Sequence, residues 1–189
     1  MSRSFDLDPA LRFTAGAVGE PGARVFLIQA RSDDQYLTLL CEKEQVAILA
    51  RELGRVLAML PETETPAPEP EPIDLELIEP LEPDWRVGSM SIEYDPERDL
   101  LIVMLREFVP GDPDDDEPEG AELEIQDDEA SARIVVTRAQ VRAMVEHALE
   151  VVGKGRPRCE ICSMPMEPDE DHHCPGMNGH RPRQPDDEE

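Results

Sequence analysis

Apolar residues along this chain recur with two periods, and the switches between them separate short strands from two amphipathic helices. Residues 1–12 are mixed and set no clear period. Phe13 to Val18 reads as a short strand, Gly19-Glu20-Pro21-Gly22 as a tight turn, and Arg24 to Arg31 as a second strand rich in Val, Phe, Leu and Ile. A polar turn from Ser32 to Gln35 leads into a third strand, Tyr36 to Cys41. Glu42 then opens a helix to about Leu60, because Val46, Leu49, Leu53, Val56, Leu57 and Leu60 fall on one face. Pro61 closes it, since a proline lacks the amide that the next helical turn needs.

The same succession returns further on. Arg86 to Tyr94 and Leu100 to Val109 flank the turn Asp95-Pro96-Glu97-Arg98-Asp99 and predict a hairpin. Ala132 to Val136 reads as another strand, and Thr137 caps a helix that continues to about Val152 on Val141, Met144, Val145, Ala148, Leu149 and Val152. In the first half a strand with Gly16, a turn and two more strands lead to Lys43-Glu44-Gln45-Val46. In the second, Val87-Gly88-Ser89-Met90, a turn and two more strands lead to Arg138-Ala139-Gln140-Val141. Two β-β-β-α repeat units describe this most economically. The predicted fold class is α+β, with two antiparallel three-stranded sheets that pair or pack, two packing helices covering a shared core, and a small C-terminal tail rich in cysteine and histidine.

Two stretches interrupt the pattern. Residues 61–84 hold seven prolines, nine carboxylates and no basic residue, too little apolar surface to offset the entropy of ordering a chain. They form a linker at least to about Glu71. Ile73 to Leu81 alternates acidic and aliphatic residues, which leaves two readings open, free chain or a segment laid on a sheet edge or groove. The second stretch, residues 110–129, carries eleven carboxylates and reads as an acidic insertion. The expected organisation is a first unit 1–60, a linker 61–84, a second unit 85–153, a metal-binding tail 154–180 and an acidic end 181–189.

Composition narrows the function. Lys and Arg number 18 against 44 Asp and Glu in 189 residues, a formal charge of -26. Such a surface repels nucleic-acid backbone and anionic membrane and attracts basic protein surfaces, besides keeping the chain soluble. The N-terminus lacks a basic segment followed by an apolar run, and the most hydrophobic stretch, Leu100 to Leu105, is too short for a bilayer. A cytoplasmic protein is expected. There a Cys-x-x-Cys pair points to metal or redox chemistry rather than to structural disulfides. Three of the four cysteines and three of the four histidines lie between Cys159 and His180, whereas Cys41 sits in an apolar strand as a small buried hydrophobe.

Several motifs together resemble the actinobacterial domain-of-unknown-function family 3090. They are Gly19-Glu20-Pro21-Gly22, Ile28-Gln29-Ala30-Arg31, Glu42-Lys43-Glu44-Gln45-Val46, Arg86-Val87-Gly88-Ser89-Met90 and Tyr94-Asp95. The tail adds Cys159 to Cys162, His172-His173-Cys174-Pro175 and Asn178-Gly179. The resemblance spans the chain outside its acidic insertions and implies no established activity. Ser163 stands where the family pattern usually has Gly, and Gly176 where a basic residue normally follows Cys-Pro, which removes a positive charge beside the tail site.

Zinc takes four soft or borderline ligands in a tetrahedron, and a Cys-x-x-Cys turn brings two thiolates to one side of it. Cys159 and Cys162 supply that half, and Cys174 is the remaining nearby thiol. His172 matches the His-x-Cys spacing that the resemblance implies and is the expected fourth ligand, with His173 and His180 as alternatives. Four protein ligands close the site to catalytic water, so the zinc is expected to be structural. A thioredoxin-like dithiol fits less well, because this Cys pair follows a helix instead of opening one.

Elsewhere catalytic signatures are weak. Glu20 with Arg24, and Glu93, Asp95, Glu97 and Asp99, can hold a cation or act as an acid/base pair if they converge between the two units; otherwise they are turn residues. His147 falls on the polar side of the last helix and is expected to be exposed. Lys154, Arg156, Arg158, Arg181 and Arg183 surround the tail site and offer phosphate contacts, but the tail has no aromatic residue on which bases can stack. The expectation is a non-catalytic interaction or assembly protein with a protein partner. A metal-dependent enzyme and a nucleic-acid-binding protein are the alternatives.

Overall fold

The computed structural model describes residues 2–61, 74–110, 129–154, 159, 161–162 and 174–175. The chain divides into two units, Met1–Gly153 and Lys154–Glu189. The first is a mixed α+β unit. In chain order it has β1 (Phe5–Leu7), β2 (Arg12–Val18), β3 (Val25–Arg31), β4 (Tyr36–Cys41), α1 (Lys43–Met59), β5 (Trp85–Asp95), β6 (Leu100–Glu107), β7 (Ser131–Thr137) and α2 (Arg138–Gly153).

All seven strands form one sheet in the order β1-β7-β6-β5-β4-β3-β2. The expectation of antiparallel sheets needs correction, because β4 runs parallel to β5 and β1 parallel to β7. These pairings join strands far apart in sequence, so no hairpin turn announces them. The edge strands β1 and β2 are consecutive in the chain, and the link between them bonds to two strands. Ala10 N–H donates to Val135 O at 2.8 Å, and Leu11 N–H to Arg31 O at 2.7 Å. The sheet therefore curls until its edges approach each other, with α2 against β2, β6 and β7 and α1 against β3 and β5.

The core lies between the sheet's concave face and the helices. It gathers Phe13, Ala15, Ile28, Leu37 and Leu39 from β2, β3 and β4, Val87 from β5, and Leu101, Val103, Leu105, Ile134 and Val136 from β6 and β7. Leu49, Leu53, Val141 and Met144 complete it from α1 and α2. Each fully buried side chain of this size contributes about 1.5–3 kcal/mol, so one core shared by both halves is the main stabilising term.

Each helix start is tied to the sheet by a glutamine. Gln45 accepts from Glu42 N–H at 2.9 Å and donates to Val87 O at 3.0 Å. Gln140 accepts from Thr137 N–H at 2.8 Å and donates to Ala10 O at 2.8 Å. One amide thus satisfies an exposed donor at the helix entrance and holds β5, or the link between β1 and β2, beside it. Gly88 sits at a bulge in β5, where a Cβ would stand 2.9 Å from Phe108 Cα. Backbone cannot yield as a side chain can, so the position excludes other residues.

Residues 74–81 lie across the convex face of β2 and β3, which decides between the two readings left open for this stretch. Arg12 donates to the carbonyls of Asp74 and Glu76, and Thr14 Oγ1 to Leu75 O at 2.6 Å. Gln29 donates to Ile78 O at 2.8 Å and accepts from Ile78 N–H at 3.0 Å, while Tyr36 OH donates to Ile78 O at 2.7 Å. Leu77 fills the space over Gly16, where an added Cβ would fall 2.5 Å from Leu77 Cγ. This strap buries Arg12, Thr14, Gln29 and Thr38 on a face that water would otherwise cover.

The β5–β6 hairpin is held to β1 and β7 by ions. Arg98 grips both oxygens of Asp8 at 2.8 and 2.6 Å, and Arg133 reaches Asp8 at 3.1 Å and Asp6 at 3.0 Å. The bonds from Arg98, and then those from Arg133, outweigh desolvation and hold the Asp8 carboxyl at about 2 instead of 3.8. A carboxylate depressed in this way adds stability that is fully present above pH 3.8 and lost as pH falls through 2. Asp8→Asn is expected to lower unfolding free energy by about 1 kcal/mol at pH 7, the scale of a partly exposed two-pronged ion pair. Denaturant curves should show the gap to wild type closing near pH 2; a gap of constant size would reject the ionic origin.

Candidate metal centre

The second unit contributes few described residues, but they include all three tail cysteines. Cys159, Cys162 and Cys174 each present a sulfur, and the three sulfurs lie within 4.8 Å of one another. Cys159 Sγ stands 3.7 Å from Cys174 Sγ. A disulfide would bring that distance to about 2.0 Å. Two thiolates at about 2.3 Å from a tetrahedral zinc stand roughly 3.8 Å apart. The observed spacing therefore fits ligands sharing one ion.

The Cys-x-x-Cys turn also prepares the donor. The Cys159 thiol is lowered from 9.0 to about 6, chiefly because the backbone N–H of Cys162 points at its sulfur, and next because the Ile161 N–H does. The other two thiols add to this, and desolvation opposes it. Backbone donors aimed at a sulfur favour its thiolate, the form that binds metal. Cys159 and Cys174 are buried and Cys162 is half-exposed. The donor set suits a soft or borderline divalent ion.

Cys41 behaves differently, as expected of a core cysteine. It is 4% exposed within β4, and burial pushes its thiol up to about 12. His172, His173 and His180 lie outside the described residues, as do Arg156, Arg158, Arg181 and Arg183, Ser163 and Gly176, and the interior of the 110–129 insertion.

The carboxylates expected as an alternative site form no metal-capable group among the described residues. The turn with Glu20 and Arg24 joins β2 to β3, whereas Glu93 and Asp95 belong to β5, three strands from β2 in the sheet. Asp95 accepts from the N–H groups of Glu97 and Arg98, closing its own turn. Asp99 accepts from Tyr94 OH at 2.6 Å and from Arg138 Nε at 2.7 Å. Those two bonds, Tyr94's first, hold its carboxyl below the ordinary range. Among the described residues the three cysteines are the only metal-capable group of His, Cys, Asp and Glu. His147 is half-buried, a correction to its expected exposure.

Sequence reasoning missed the row Arg12, Thr14, Gln29 and Thr38. Its signal was present, since polar side chains stand mid-strand among apolar ones, but their burial comes from a strap far away in the chain. A search of curated proteins and a search of solved structures each found nothing that matches. A family model described as "Protein of unknown function (DUF3090)" matches residues 5–174, a span that contains the three cysteines and ends before His180.

Proposed function

The chain belongs to that family of unknown function, and from its own residues we propose a non-catalytic, zinc-binding interaction or assembly protein of the cytoplasm. The observation that carries the reading is the convergence of the Cys159, Cys162 and Cys174 sulfurs on one point. The fourth ligand in this reading is His172, with His173 and His180 as alternatives. Four protein ligands leave no open position, so the zinc orders the tail and does no chemistry. An acidic surface of charge -26 suits a basic protein partner.

The two β-β-β-α halves are read as copies of one unit. Gln45 and Gln140 support this, each tying its own helix entrance to the first strand region of the other half.

Elemental analysis of the chain purified without chelator is expected to find one zinc per molecule. Exchange for cobalt should give the strong visible absorption of a tetrahedral ion with thiolate charge transfer. Substoichiometric zinc, or the weak spectrum of six-coordinate cobalt, would remove the closed-site reading.

A further inference from the structure

The strap is held in an unusual way. Its bonds run from side chains of the sheet to main-chain atoms of the strap, namely Arg12 to Asp74 O and Glu76 O, Thr14 to Leu75 O, and Gln29 to both polar atoms of Ile78. Every peptide carries those main-chain groups. The apolar socket is the space over Gly16 that Leu77 enters, and the carboxylates of Asp74 and Glu76 add a charge preference beside Arg12. No strap residue from 74 to 81 is itself fully buried, although the residues beneath it are. The groove is therefore built into the sheet, and its occupant contributes little to the core.

We propose that the convex face of β2, β3 and β4 is a peptide-binding groove, filled in cis by residues 74–81, whose trans occupant is an extended acidic–aliphatic segment of a partner protein with a leucine in the Gly16 socket. The strap supplies the template for that chemistry. Arg12 is 8% exposed and bonds to carbonyls and to Gln29, not to a carboxylate, so the acidic side chains at 74 and 76 balance its charge from a short distance. An occupant with carboxylates at those positions retains that balance. A tethered strap has an effective concentration on the millimolar scale, which keeps weaker peptides out until a partner displaces it.

The groove gives the interaction-protein reading one surface of its own. It shares no residue with the metal centre, so failure of one leaves the other standing.

The test is titration of the labelled nonapeptide IDLELIEPL into the full-length chain with residues 74–81 replaced by Gly and Ser. Saturable binding at least tenfold tighter than to the wild-type chain is expected. Gly16→Leu in the replaced background should reduce binding at least tenfold, as should Asp in place of the leucine of the peptide that corresponds to Leu77. Raising salt from low to physiological should strengthen binding, because it screens the -26 charge of the chain more than it screens the buried Arg12. No saturable binding by the folded variant, or equal binding by its Gly16→Leu form, would overturn the proposal. So would dimerisation of the strap-intact chain by strap exchange, which would assign the groove to a second copy. If the replaced chain does not fold, hydrogen exchange of the wild type decides. An Ile78 amide that opens at least a hundredfold more often than β3 amides supports an exchangeable strap, and one that opens only with global unfolding rejects it.

Discussion

If the cluster holds zinc as proposed, serine at Cys159, Cys162 or Cys174 is expected to bring it from one equivalent per chain to background. A serine hydroxyl keeps the shape of the side chain, but it does not ionise near neutral pH and so offers zinc no anionic donor. Changes to groups outside the ligand shell already cost 10- to 100-fold in affinity, and loss of a ligand should exceed that. Cys41→Ser is the internal control. Its sulfur lies in the core with burial pushing the thiol up to about 12, so the variant should lose some stability and keep its zinc. His172→Ala should lose metal, whereas His173→Ala and His180→Ala should retain it. Chelation should expose the tail to protease while the unfolding midpoint of residues 1–153, which have their own core, moves little. Full zinc in any one of the three cysteine variants would remove that sulfur from the ligand set.

Local pattern carried most of the fold. β4 runs from Tyr36 to Cys41 as the apolar pattern predicts, because a polar turn precedes it and the Glu42 helix cap follows it. β1 was illegible for a physical reason. Phe5, Asp6 and Leu7 are too few to set a period, and they form a strand only because Ala132, Arg133 and Ile134 of β7 lie alongside. The two expected sheets pair rather than pack, and that choice rests on the short register of Leu39 and Leu40 with Trp85 and Arg86, a contact across 46 positions that no neighbouring residue encodes.

The site divides along the same line. Cys-x-x-Cys is a local motif whose turn geometry follows from its spacing, so Cys159 and Cys162 were readable, and the lone downstream thiol of Cys174 completed the cluster. The carboxylates of the β5–β6 turn were readable only as a composition. Asp95 and Asp99 are spent on turn amides, Tyr94 and Arg138, an allocation that depends on where α2 begins. The buried row on the convex face depends in turn on the strap, and local pattern treats Thr14, Gln29 and Thr38 as an ordinary solvated face.

That row sets up the other large effect. Gln29→Met keeps the length of the side chain and removes every polar bond it makes. Gln29 Nε2 donates to Ile78 O at 2.8 Å and to Thr38 Oγ1 at 3.2 Å, while its Oε1 accepts from Ile78 N–H at 3.0 Å and from Arg12 Nη1 at 3.4 Å. If burial of an apolar side chain were all that counted, methionine at a fully buried position would be neutral or stabilising. The partners left behind reverse the sign. Ile78 loses both of its bonds to Gln29, its carbonyl keeping Tyr36 OH while its N–H is left unpaired, and a guanidinium already penalised by burial loses an acceptor. Net losses of about 1 kcal/mol per bond, with a further cost for each orphaned group, would exceed what a strap of half-exposed residues can supply, so the strap lets go and water reaches Arg12 and Thr38. The global loss is therefore limited to about 2 kcal/mol, and the remainder appears as lost protection of the Ile78 amide. Thr14→Val removes only the 2.6 Å bond to Leu75 O and should cost about 1 kcal/mol with the strap retained. Urea unfolding and hydrogen exchange together measure both quantities. A Gln29→Met protein within 0.5 kcal/mol of wild type, with Ile78 still protected, would mean that the polar row does not hold the strap.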